Sequence, residues 1–266
     1  MKKLLTTLAI CGLTGMNLLA DGINSRTINV GNATVVAYRD NVTTEPDKPT
    51  PNRNVFAIHQ DSKIILINAG SGDEDGFIKR FIADGHKPED VTAVLINFMG
   101  NDHIGGLLIG RQYAVRHEGG VNTFLPGVVF PNATLYLSKT EKEFWDKYPH
   151  RSMLAPPPLP KQVISAYNDR IVTFDFDTEI LPGITAIEAP KQNPDQIYNT
   201  TIFSTRDIMF IGGLDVDKTT TEQQRKSWQQ QAADKKLQIA GSSLPFPAIG
   251  KVTTNNKEGY TFTVAE

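Results

Sequence analysis

Cysteine is almost missing from this chain. Of 266 residues only Cys11 carries a thiol, and it lies in an N-terminal stretch that reads as removable. Once that stretch is gone the protein has no disulfide, no thiolate to offer a metal and no cysteine nucleophile. An excess of positive charge is missing too. Lys and Arg number 27 against 29 Asp and Glu, a formal −2, which excludes the basic footprint with which proteins neutralise nucleic-acid phosphates. Histidines number only five, at 59, 86, 103, 117 and 150, so a site built from many imidazoles has few candidates. No clean apolar run of bilayer length occurs. Leu4 to Ala20, about 17 residues, is interrupted by Thr6, Thr7, Gly12, Thr14, Gly15 and Asn17, too broken for a stable span.

What is present at the start is Lys2 and Lys3, then that uncharged segment, then Ala20 before the polar Asp21. This is the pattern of a secretory signal peptide over residues 1–20, with cleavage near Ala20 and an exported, periplasmic or extracellular product that keeps no membrane span. Loss of the two lysines leaves 25 basic residues against 29 acidic, a formal −4. Hydrophobic residues at 39% and charged residues at 21% suit an ordinary packed core over residues 21–266.

Strand and helix patterns alternate along that core. Thr27 to Tyr38 reads as a strand; Val55–His59 and Lys63–Asn68 read as a hairpin; Phe77, Ile78, Phe81 and Ile82 fall at helical spacing; Val91–Ile96 is an apolar strand. Further on, Ala133–Ser138 is a strand, Lys139–Tyr148 a helix, Arg151–Pro160 a proline-rich connection, and Thr220–Lys236 a helix amid four more strands. The interleaving predicts one α/β domain. It also sets the polar loop Asn97–His103 at the carboxyl end of a buried strand, where such folds place ligands.

That loop ends Asn101-Asp102-His103-Ile104-Gly105-Gly106-Leu107, which resembles the metal-binding loop of the metallo-beta-lactamase superfamily, usually T-H-x-H-x-D-H-x-G-G-L. Ile65-Leu66-Ile67-Asn68-Ala69-Gly70 resembles the strand end that precedes it, with Asn68 for aspartate. Phe130-Pro131-Asn132-Ala133 and Ser243-Leu244-Pro245-Phe246-Pro247 resemble the secreted methyl parathion hydrolase branch. The resemblance implies a four-layer αβ/βα sandwich with a dinuclear zinc site between two sheets. It also implies that most of that site is gone. Phe98 and Gly100 stand at the first two histidine positions, Gln192 at the third, Gly213 at the bridging aspartate and Ser243 at the last histidine, leaving Asp102 and His103. Asp215 is the nearest carboxylate that could stand in.

Catalytic zinc needs about three protein ligands and an open water position. We therefore expect no catalytic residues and no cofactor, with zinc on Asp102 and His103 as the alternative. The expectation is a pseudoenzyme with a residual pocket of Asp102, His103, Gln192 and Ser243, walled by Phe98 and Phe246. Its partner would be a small molecule or a protein, and a homodimer is compatible with the branch. The rival expectation is a metal-dependent hydrolase of esters, lactones or phosphotriesters. Taken by itself, Asp102 suits the cap of a helix starting at Ile104.

Overall fold

The computed structural model describes residues 24–40, 53–110, 113–117, 120–124, 126–149, 155–189, 200–212, 222–255 and 259–264. The leader expected over residues 1–20 lies outside them. The first sheet opens with β1 (Ser25–Val30), β2 (Ala33–Arg39), β3 (Asn54–Gln60), β4 (Lys63–Ile67) and β5 (Val91–Leu95). Four short strands follow, β6 (Leu108–Ile109) pairing with β9 (Gly127–Val128) and β7 (Tyr113–His117) with β8 (Gly120–Phe124). Then β10 (Thr134–Ser138) and β11 (Ile171–Phe174) complete a seven-stranded sheet in the order β1-β2-β3-β4-β5-β10-β11. A second sheet of seven takes β12 (Thr178–Leu181), β13 (Ile184–Ala189), β14 (Thr200–Ser204), β15 (Ile208–Ile211), β16 (Gln238–Gly241), β17 (Ile249–Asn255) and β18 (Gly259–Val264) in simple sequence order. The helices are α1 (Phe77–Ala83), α2 (Asn101–Ile104), α3 (Lys139–Lys147), α4 (Leu159–Tyr167) and α5 (Glu222–Asp234).

Two departures from the sequence pattern have plain causes. The strand expected over Thr27–Tyr38 is a hairpin, because Gly31 takes a left-handed φ of 59° and turns the chain between β1 and β2. The proline-rich connection ends in a helix, α4, with Pro160 in its first turn, where a missing N–H costs nothing.

Alternation along the strands builds the cores. On β3, Val55 and Ala57 face the core that includes Phe77 and Phe81 of α1 and Val163 and Tyr167 of α4. Phe56 and Ile58 face the other way, into a core shared with Ile184, Phe203, Phe210 and Ile249 of the second sheet. A third core packs Trp228 and Ala232 of α5 on Met209, Ile211 and Ile239. Residues of the two sheets thus share the second core, while α1 and α4 contribute to the first and α5 to the third.

The parallel strands β4 and β5 in one sheet, and β15 and β16 in the other, end at the same edge, and buried polar groups shape the loops there. The Asp40 carboxylate accepts from Ser71 N at 2.7 Å and Phe77 N at 3.0 Å, so it caps α1 from the end of β2. The loop after β4 and the turn at Gly105–Leu107 lie backbone to backbone, with Ala69 N donating to His103 O at 2.7 Å and Gly106 N to Gly70 O at 3.1 Å. A side chain at Gly105 would overlap Ser71 O, and one at Gly106 would overlap Ala69 O. Gly106→Ala should therefore destabilise the protein by more than about 3 kcal/mol or prevent folding, since the obstacle is backbone that cannot rotate aside. Gly127→Ala, whose nearest neighbour would be the Ile109 side chain at 3.5 Å, should stay within about 1 kcal/mol when both variants are compared with wild type by urea titration.

Candidate functional site

Asn68 ends β4 in a left-handed conformation, φ 63°, which asparagine tolerates better than most residues. Its Oδ1 accepts from Asn97 N at 3.0 Å and its Nδ2 donates to Asn97 Oδ1 at 2.7 Å. Asn97 in turn donates through Nδ2 to Thr201 O at 2.6 Å and Phe210 O at 3.4 Å, while its own carbonyl accepts from Thr201 N at 2.8 Å. Both side chains are buried. Carbonyl oxygens on β14 and β15 require the amide nitrogen of Asn97 to point at them, and its oxygen then faces Asn68, so one hydrogen-bonding order satisfies the whole set. The site edge of the first sheet is tied to the second sheet through these two carboxamides. A side chain at Gly212 would stand 2.5 Å from Asn97 Cβ, so the glycine there makes room for the clasp.

Beyond Asn97 the chain carries Phe98, Met99 and Gly100 into the short helix α2. Met99 N donates to the buried Glu141 carboxylate at 2.6 Å, which pins the loop to α3. The Phe98 ring lies 4.1 Å from the His103 ring, centroid to centroid, tilted by 51°. That ring also fills the space a side chain at position 100 would need, so Phe98 and Gly100 are one steric arrangement. Asp102 lies inside α2, and Gly100 is the residue at the helix cap. The expected cap at Ile104 is thus replaced: the Asp102 carboxylate turns to His103 Nδ1 at 3.1 Å, the nearer use for a charge beside an imidazole.

His103 is 3% exposed, and its Nε2 lies 3.3 Å from Ser242 Oγ. An ionised carboxylate only accepts, so Nδ1 carries the hydrogen and, in the neutral ring, Nε2 accepts from the serine hydroxyl. Burial raises the Asp102 carboxyl, but the hydrogen bond and charge of His103, a backbone hydrogen bond and the charge of Arg53 outweigh it and hold it at about 2. Ser242 follows β16. Its N–H donates to Ile211 O at 3.0 Å, and its carbonyl accepts from Asn54 N at 2.8 Å and Asn54 Nδ2 at 3.0 Å. Asn54 Nδ2 also donates to Leu244 O at 2.9 Å, so one buried asparagine sets the turn that presents the serine.

Phe98, Gly100, Asp102 and His103 lie together in this loop, and the serine whose hydroxyl faces the imidazole is Ser242. Ser243 is half-buried beside it. Phe246 packs against the core between the sheets and under the Arg39 guanidinium, 4.8 Å from its ring centre, a cation–π contact. Gln192, Gly213 and Asp215 lie outside the described residues. Sequence reasoning missed Ser242, Asn54 and the role of Asn97. The available signal was an asparagine closing each of two apolar strands, at 68 and 97, since a buried carboxamide needs partners.

Among the described residues no three His, Cys, Asp or Glu side chains gather as they would around a metal. The donors present there do not fit the dizinc group that the resemblance implies: Asp102 and His103 are bonded to each other, the second imidazole nitrogen is engaged by Ser242, and Phe98 occupies the space beside Gly100. Also among the described residues, no helix is long and apolar enough to cross a membrane.

The clasp yields one expectation. Asn68→Asp sets a carboxylate oxygen against Asn97 Oδ1 in a buried place and should cost at least about 2 kcal/mol at pH 7. Burial raises such a carboxyl above its unfolded value of about 3.9, so the deficit should shrink as pH falls through the raised value, where the protonated acid can donate. Asp102 carries the opposite sign. Its folded value, about 2, lies below the unfolded one, so its stabilisation is present above about pH 4 and lost between about 4 and 2. The stability gap between wild type and Asp102→Asn, measured by denaturant titration at each pH, should close over that interval.

No family profile and no curated protein matches the sequence. Solved structures do. AidC, a dizinc quorum-quenching lactonase, superposes with a TM-score of 0.68 at 18% identity, covering 91% of this chain and 98% of its own. The hydrolase AbOPH of the beta lactamase superfamily gives 0.67 at 19%, with 91% and 98% covered. A probable metal-dependent hydrolase from Staphylococcus aureus gives 0.60 at 13%, with 90% and 99% covered. The chain has the α/β fold of the metallo-beta-lactamase superfamily hydrolases.

Proposed function

We propose that this protein is a metallo-beta-lactamase-fold homologue that works without the dinuclear zinc centre and keeps at its place a compact polar site for a small molecule or a protein partner. The observation that carries the reading is the joint state of Phe98, Gly100 and His103. The phenyl ring covers the imidazole and fills the space of a side chain at 100, while both imidazole nitrogens are engaged by Asp102 and Ser242. Restoring a histidine at 98 or 100 alone would not rebuild a ligand set, because each position depends on the other.

The finer placement is with the secreted methyl parathion hydrolase-like branch, as a four-layer sandwich in one domain over residues 21–266 after export and cleavage near Ala20. Its support is the leader pattern and the run of branch-like segments in order along the sequence. The competing reading, a metal-dependent hydrolase of esters, lactones or phosphotriesters, draws on the likeness to a dizinc lactonase over most of the chain.

Zinc separates the two. A ligand at 100 times its Kd stabilises the native state by about 2.7 kcal/mol, and each kcal/mol moves the midpoint of a chain this size by roughly 2–4 °C. Protein purified with zinc present should hold well under one ion per chain by elemental analysis, and added zinc should leave its thermal midpoint within about 2 °C. Hydrolysis of lactones, aryl esters and phosphotriesters should show no part that chelator removes and zinc returns. A tightly bound ion per chain, or a rise of roughly 5 °C or more, overturns the reading.

A further inference from the structure

Asp102, His103 and Ser242 lie in one hydrogen-bonded line, carboxylate to Nδ1 at 3.1 Å and Nε2 to hydroxyl at 3.3 Å. The three come from two sheets: Asp102 and His103 from the loop after β5, Ser242 from the turn after β16. Each is separately held. The Phe98 ring lies against the imidazole, Asp102 sets its tautomer, and Asn54 grips the serine carbonyl through both its backbone and side-chain nitrogens. A nucleophile, a base within reach of it and a third group that orients the base are the parts of an activated serine.

We propose that Ser242 is a metal-independent nucleophile toward short-chain carboxylic esters, with His103 as its base and Asp102 as the positioning residue. The inference rests on the reading of this site as one that works without zinc. Ser242 is 6% exposed, and this low exposure is why the proposal takes esters of short, unbranched acids. In the step, Oγ bonds to the carbonyl carbon as its proton passes to His103 Nε2. The carbon–oxygen bond to the leaving alcohol breaks, and that oxygen takes the proton from Nε2. Water then adds to the acyl-serine by the same route in reverse, restoring the serine hydroxyl and releasing the acid. Asp102 keeps the imidazole in the tautomer that can accept at Nε2 and faces the positive ring formed in between.

The test uses the full chain after dialysis against chelator, with p-nitrophenyl acetate as the probe. Nitrophenolate should appear in a burst of about one per chain, and peptide mapping after acid quench should find the acetyl group on Ser242. Ser242→Ala should abolish the burst. His103→Gln should slow it by about 100-fold or more, the usual contribution of a general base, with an unchanged circular dichroism spectrum. Asp102→Asn should lower the burst rate while leaving its amplitude near one per chain, a split that a merely structural loss would not produce. Acetylation at another residue, no burst from folded metal-free protein, or a His103→Gln variant as fast as wild type overturns the inference and leaves the zinc-free reading intact. A burst that vanishes with chelator and returns with zinc overturns both.

Discussion

Two buried carboxamides hold the site edge of the molecule together, and most of what surrounds them follows from their needs. Asn68 and Asn97 close adjacent parallel strands of the first sheet, and Asn97 reaches across to carbonyls on two strands of the second. A buried amide left without partners costs about 1–3 kcal/mol, so neither can be changed without a response from the other. The left-handed turn at Asn68, the glycine at 212 and the path of the loop into α2 all accommodate that clasp. By hydrogen bonding it fixes the separation and register of the loops that meet at this edge of the two sheets.

With the edge held by neutral groups, the remaining ionisable pair is left with a defined environment. The buried His103 and the partly exposed Asp102 satisfy each other, and the carboxylate stays ionised because the neighbouring imidazole and Arg53 outweigh its partial burial. Phe98 contributes in two ways at once. It excludes water from one face of His103, and it uses the volume that a residue larger than glycine at 100 would claim. Phe98 and Gly100, which look independent along the chain, are therefore a single packing solution.

Several buried hydrogen bonds support the loops that carry Asp102 and His103. Glu141 anchors the loop through Met99 N, Asp40 caps α1 and fastens the turn after β4, and Asn54 sets the turn at Ser242. Tyr167 adds a further brace: burial pushes its hydroxyl up to about 12, and it donates to Leu107 O while accepting from Phe130 N. Together they determine where the partners of the imidazole stand.

Local patterning was enough to read the α/β alternation, the strands around residues 55–68 and 91–96, the helix at 77–83 and the loop that carries Asp102 and His103, because periodicity of two or 3.6 is written in neighbouring residues. The resemblance carried by that loop led to the fold that solved structures share. Local patterning could not separate Gly31 as a hairpin turn from a strand interior, nor see that Pro160 opens a helix. It could not choose between Ser242 and Ser243. Adjacent residues in a turn point in different directions, and which one meets His103 depends on how Asn54, 188 positions away, holds the backbone. The coupling of Phe98 to Gly100 and of Asn68 to Asn97 likewise exists only in three dimensions, since a side chain's volume and a hydrogen bond's direction are properties of placement.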